Sequence, residues 1–272
     1  MRSEERMQAE RSILCVDVGN TETSFGFFRS SRLLASWTGT TPDCLTSDEA
    51  FSLVCDALTA MERKEHMPPG EFSVEDTVLS SVVPQHTAAW QTALRQVADK
   101  RPLTIGPGIK TGIRMRYKDP AEVGADRIAD LAAVLADYNP PAVVVDLGTT
   151  TNFEVIDADG VFLGGVIAPG MVLGARSLAR EAAKLPIVEV VAPRHVVGTT
   201  TREAVQAGVV LGEIARIDGL LDLIQKETDA VYTVIVTGSQ AKAVSSLLSH
   251  EAISDETLTL RGLARLYDLN RP

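Results

Sequence analysis

Apolar residues gather in short blocks along this chain, and two of the blocks end alike. Ile13–Asn20 reads ILCVDVGN and Ala142–Thr149 reads AVVVDLGT. Each is a run suited to a buried strand, closed by Asp, one apolar residue, Gly, and then Asn or Thr. Phe25–Phe28 and Leu33–Trp37 follow the first block; Phe153–Ile156 and Val161–Ile167 follow the second, with Asp159-Gly160 as a hairpin signal. Each half therefore opens as a three-stranded meander. Farther on the period changes. Phe51, Val54, Leu58 and Met61 line one face of a helix over Ser47–Arg63, with Ser47 and Asp48 as capping candidates. A strand at Thr77–Val83 stopped by Pro84, a helix near Thr87–Asp99 and a strand at Leu103–Ile105 complete the first half. The second half continues with a long helix over Thr201–Lys226, a strand at Tyr232–Thr237, a helix at Gln240–Leu248 and a strand at Thr257–Leu260.

The order β-β-β-α-β-α-β thus occurs twice. It predicts an α/β protein of two duplicated lobes facing a central cleft, where ligands commonly bind. The lobes are expected at 12–121 and 122–272, after a flexible tail over 1–11.

Composition narrows the partners. The formal net charge is −10, the opposite of what a protein gripping nucleic acid through phosphates needs. No apolar run reaches the ~18 residues of a membrane span, so neither nucleic acid nor membrane is expected as a partner. The three cysteines, Cys15, Cys44 and Cys55, form no metal-binding or disulfide pattern, which suits a reducing cytoplasm.

The candidate chemistry lies where the repeated blocks end. In Asp17-Val18-Gly19-Asn20-Thr21 a strand delivers a carboxylate, and glycine permits a sharp turn lined by donors. Such a turn can cradle phosphate, and the carboxylate can hold a Mg²⁺-bound water. Asp146-Leu147-Gly148-Thr149 offers the same parts. Either turn alone could be a plain hairpin with an Asx-turn; the pair points to phosphoryl transfer. No G-x-x-x-x-G-K-[ST] and no G-x-G-x-x-G after the first strand occurs, which excludes a P-loop and argues against a dinucleotide site. A third segment runs from Tyr117 to Arg127 and opens a helix. There Asp126 could accept a proton or merely stabilise the helix dipole, and Arg127 could bind a carboxylate or phosphate.

Together these segments resemble type III pantothenate kinases, a family of the acetate and sugar kinase/actin superfamily. The resemblance runs from about Ile13 to Ala241. It rests on Asp17–Thr21 with Gly26, Gly108–Gly112, Gly124–Arg127, Asp146–Thr149, Gly164–Gly170, Thr201–Ala204 and Thr237-Gly238. It implies two ribonuclease H-like domains of the actin-like ATPase type, each with a mixed five-stranded sheet. It implies ATP-dependent phosphorylation of pantothenate at the start of coenzyme A synthesis, in a cytoplasmic homodimer. Asp17, Val18, Gly19, Asn20, Thr21, Glu22, Thr23 and Ser24 would form the first ATP loop, with Asp17 holding Mg²⁺ through water, and Thr149 would contact ATP. Asp126 would be the proton acceptor. Tyr117, Gly124, Ala125, Arg127 and Thr201 would line the pantothenate site, and Asp146 would bind a monovalent cation, K⁺ or NH₄⁺.

The chain departs from the family pattern at several places. Thr150 stands for the usual Ala, Asn152 for Thr, Glu154 for Asp, Asp130 for Asn, Ser239 for Gly and Thr200 for Asn. Asp130 adds a charge that would repel phosphate and raise the pKa of its neighbour Asp126. Two other readings follow: a catalytically weak relative with a regulatory role, or a kinase of the same superfamily acting on a sugar or acid.

Overall fold

A computed structural model describes residues 11–271. The expected tail therefore lies outside the described residues, save Arg11, whose carbonyl accepts the Ser30 N–H at 2.7 Å. In chain order the elements begin β1 (Ser12–Val18), β2 (Glu22–Arg29), β3 (Arg32–Thr40), α1 (Ser47–Lys64), β4 (Asp76–Ser81), α2 (Pro84–Ala98) and β5 (Leu103–Thr104). β6 (Arg114–Met115) and α3 (Ala125–Asp137) follow, then β7 (Ala142–Leu147), β8 (Thr150–Ile156), β9 (Val161–Pro169) and α4 (Met171–Glu181). The chain ends with α5 (Thr201–Gln206), a π-turn at Ala207–Leu211, α6 (Gly212–Thr228), β10 (Thr233–Thr237), α7 (Ala241–Ser245), β11 (Ala252–Ser254) and α8 (Leu258–Asn270).

The chain forms two compact units. The first takes the described residues up to Gly112, Asp119–Ala136 and the stretch from Leu258 onward; the second takes Ile113–Lys118 and Asp137–Thr257. This division differs from a single cut at 121/122, because α3 and α8 both join the first unit. Its sheet has the order β3-β2-β1-β4-β5, with β1 antiparallel to β2 and parallel to β4. Strand alternation sends Leu14, Val16 and Val18 to one face, against Val54, Met61, Trp90 and Leu94 of α1 and α2. Burying each such side chain contributes about 1.5–3 kcal/mol. Ile13, Cys15 and Asp17 therefore share the other face, where α8 packs on β1 and β4. α1 is capped by Thr46 rather than Ser47 or Asp48: Thr46 Oγ1 accepts from Glu49 N–H, and Glu49 Oε2 accepts the Thr46 N–H at 2.8 Å.

The second unit repeats the plan with one addition. Its sheet has six strands in the order β11-β10-β7-β8-β9-β6, not five, because β6 pairs in parallel with β9. The strand expected at Thr257–Leu260 is instead the start of α8. Leu258 and Leu260 alternate like a strand, but burial continues at Leu263, Leu266 and Tyr267 with helical period, and Asp255 Oδ1 accepts the Thr257 N–H at 3.2 Å. The edge strand is Ala252–Ser254. The helix expected over Thr201–Lys226 is interrupted by the π-turn, a feature that local apolar spacing does not reveal.

Candidate active site

In the first unit, β1 and β2 are joined by a closed turn. The Gly19 N–H donates to the Glu22 carbonyl at 2.9 Å, and a Cβ at Gly19 would meet that oxygen at 2.9 Å. A residue that sequence reasoning passed over, Thr41, locks the turn from beyond β3. Its Oγ1 donates to the Gly19 carbonyl at 2.8 Å, its N–H donates to the Thr21 carbonyl at 2.9 Å, and its hydroxyl lies 2.8 Å from Thr23 Oγ1. Nothing local in the sequence marks Thr41; its role depends on strand pairing eighteen residues from Thr23. Asp17 is half-buried at the strand end, in register with Ser24 and Ser80. Asn20 and Glu22 are exposed, Thr21 and Ser24 partly so, while Val18 and Thr23 are buried.

Asp126 is held beside the same strand ends. The Val82 N–H donates to the Val18 carbonyl at 3.0 Å, and Val82 Cγ1 lies 3.7 Å from where a Cβ on Gly124 would sit. That Cβ would also meet Asp126 Oδ1 at 2.4 Å, so only glycine leaves room for the carboxylate. Oδ1 accepts the Arg127 N–H at 2.7 Å. Burial pushes the Asp126 carboxyl above its ordinary range, and the hydrogen bond and charge of Arg127 offset this only in part. A helix start by itself favours the anion; here burial outweighs it. Asp130 is fully buried in α3 rather than turned to solvent. Arg127 is also buried, and Ala125 opens the helix.

The second unit carries the matching turn between β7 and β8. Asp146 is half-buried at the end of β7, in register with Asn152 on β8 and Thr237 on β10. Two glycines press on the turn that follows. A Cβ at Gly170 would meet the Gly148 carbonyl at 2.4 Å, and one at Gly238, where φ is +94°, would meet the Leu147 carbonyl at 2.4 Å. The Gly170 N–H donates to the Thr149 carbonyl at 3.0 Å. Two of the family departures meet here, Thr150 Oγ1 donating to Asn152 Oδ1 at 3.0 Å, and a third, Glu154, is fully buried in β8.

The segment read as one substrate motif is divided. Tyr117 belongs to the second unit, its ring stacked on Phe162 with centroids 5.6 Å apart, while Gly124, Ala125, Asp126 and Arg127 belong to the first. Thr201 is exposed in the first turn of α5, next to its cap Thr200, whose Oγ1 accepts the Glu203 N–H at 3.2 Å. Glu203 also accepts the Thr199 N–H at 2.8 Å, which holds its carboxyl below the ordinary range.

Each of the two α/β units carries a meander whose first strand ends in Asp-x-Gly, so the chain is a duplicated α/β protein with a pair of candidate phosphate-binding turns. Solved structures share the fold. A Baf family protein from Campylobacter jejuni gives a TM-score of 0.58 at 20% identity, covering 94% of this chain and 97% of that one. The activator of 2-hydroxyisocaproyl-CoA dehydratase from Clostridium difficile, with bound ADPNP, gives 0.52 at 11% identity, covering 94% and 93%. Sequence relatives are more specific. The type III pantothenate kinase of Listeria monocytogenes serotype 4a is 36% identical over 260 residues, 96% of this chain and 98% of its own. That of Halalkalibacterium halodurans is 35% identical over 258 residues, 95% and 99%. The sequence model of the type III pantothenate kinase family matches residues 13–223. The chain belongs to the type III pantothenate kinase family, enzymes that use ATP to phosphorylate pantothenate for coenzyme A synthesis.

Proposed function

We propose that Asp126 is the base of this reaction and that the two Asp-x-Gly turns hold the nucleotide. The carrying observation is the carboxylate itself: half-buried, fixed by the Arg127 N–H, and given its space by Gly124. Phosphoryl transfer asks the protein mainly for positioning and charge neutralisation. The pantothenate hydroxyl loses its proton to Asp126 as its oxygen bonds to the γ-phosphorus, and the bond from that phosphorus to the ADP oxygen breaks. The turn from Asp17 to Ser24 and Thr149 bind ATP. Tyr117, Gly124, Ala125, Arg127 and Thr201 line the pantothenate site, and the acceptor-rich substrate suits their donors.

The donor atoms fit the expected cations. Asp17 offers oxygen at a strand end beside Ser24 and Ser80, and one carboxylate completed by waters and substrate phosphates is a set that Mg²⁺ takes. Mg²⁺ would neutralise charge on the phosphates. Asp146, beside the carbonyl-bearing turn at Leu147 and Gly148, is the oxygen donor we assign to K⁺ or NH₄⁺. We also propose a homodimer. Ile167, Ile187, Val191, Val196 and Val197 expose 57–82% of their surface, and exposed large apolar side chains are candidates for an interface. Its three free cysteines fit the cytoplasm, and no helix among the described residues is long and apolar enough to cross a membrane.

The test is ADP release with Mg-ATP, with and without pantothenate, in K⁺ and then in Na⁺. Release that needs pantothenate and K⁺ supports the site and the cation. A folded protein that releases none in either salt points to the weak-relative reading. Asp126→Asn is expected to keep ATP binding and lose about 10²–10⁴-fold in kcat; full activity refutes the base.

A further inference from the structure

Thr151, two residues past Thr149, donates from Oγ1 to Glu213 Oε1 at 2.6 Å. Glu213 sits in the first turn of α6, immediately after the π-turn, and is 4% exposed. A carboxylate buried that deeply is costly unless it is paired. Its other oxygen is paired with Arg216 one turn on, and Arg216 in turn donates to the Pro169 carbonyl at 2.6 Å. Pro169 precedes Gly170, whose N–H holds the Thr149 carbonyl at 3.0 Å and whose Cα lies against the Gly148 carbonyl. The second turn is thus gripped at both ends by one ion pair: by Thr151 on its own strand, and by Pro169-Gly170 on the neighbouring one. The π-turn, with its wider winding, ends at Leu211 two residues before Glu213, so it sets which face of α6 the pair occupies.

We infer that Glu213 and Arg216 are positioning residues for the nucleotide-side turn, fixing Thr149 for ATP without touching ATP themselves. The inference rests on the reading of Thr149 as an ATP contact. A rigid brace matters here because phosphate recognition uses backbone groups whose spacing must be set before the ligand arrives. Releasing the brace would therefore weaken ATP more than pantothenate, whereas a purely structural pair would lower stability and leave both substrates equally affected.

The experiment compares Arg216→Ala, Arg216→Lys, the double variant Glu213→Gln/Arg216→Met, and Thr149→Val, by steady-state kinetics, ADP titration calorimetry and thermal melting. The double variant removes both charges together, so no buried carboxylate is left unpaired and folding is retained. We expect KM for ATP and the ADP Kd to rise about tenfold or more in Arg216→Ala and in the double variant. KM for pantothenate should change less than twofold, and Arg216→Lys should recover part of the loss. ATP affinity within twofold of the parent in the folded double variant overturns the inference, as does an equal rise in both KM values. Thr149→Val separates the two readings. If it weakens ATP while the brace variants do not, the brace alone fails. If it leaves ATP binding intact, the nucleotide reading of the turn fails, and the brace falls with it.

Discussion

Asp126 shows why burial, not residue type, decides what a carboxylate does. With its pKa raised by desolvation, Asp126 as the proposed base would act only when ionised, so the acid limb of the kcat profile should lie above the ordinary carboxylate range. A limb at or below the ordinary aspartate value contradicts the burial found here. The linkage has a definite sign. A folded-state pKa above the unfolded one gives stability that is present at low pH and lost as pH rises through the folded value. Asp126→Asn removes that loss, so the inactive variant should be at least as stable as the parent at neutral pH; urea titration at two pH values checks it. Gly124→Ala tests the space rather than the charge. Its Cβ would meet Asp126 Oδ1 at 2.4 Å, and displacing a reacting group by about 1 Å can cost on the order of 10²-fold. We expect a fall of that size in kcat with ATP affinity unchanged; an unchanged kcat would show that the carboxylate tolerates the shift.

Among elements, the contact of α3 with α8 supports the helix that carries Asp126. A Cβ on Gly262 would sit 1.8 Å from the Ala129 carbonyl, so the two helix backbones touch. Helix propensity alone predicts that Gly262→Ala stabilises by about 1 kcal/mol. The packing reverses the sign: forced separation should destabilise by about 1–3 kcal/mol, read as a lower urea midpoint with an unchanged m-value. A rise in the midpoint would mean that the helices part without cost. The strands of both meanders were legible from their apolar runs, because burial on a sheet leaves a local signature. The π-turn, the edge strand at Ala252–Ser254 and the helical start at Leu258 were not, because each depends on what packs against it.

For the whole molecule, exposed Ile187, Val196 and Val197 predict self-association. Sedimentation should give twice the 29.1 kDa chain mass. Replacing Ile187 and Val197 together by Glu should shift the protein toward monomer with little change in melting temperature. A parent that sediments at the single-chain mass at micromolar concentration refutes the homodimer.

By itself the sequence determined the duplicated α/β plan, the two Asp-x-Gly turns and the family. These are carried by residues within a few positions of one another, where apolar period, glycine and carboxylate can be read directly. Tertiary structure alone decided that Thr41 locks the first turn, that Gly170, Gly238 and the Glu213–Arg216 pair hold the second, and that Asp130 is buried. It also decided that Tyr117 and Asp126 belong to different units. Each of these joins residues far apart in the chain. Their proximity comes from strand order and helix packing, and no local spacing records it.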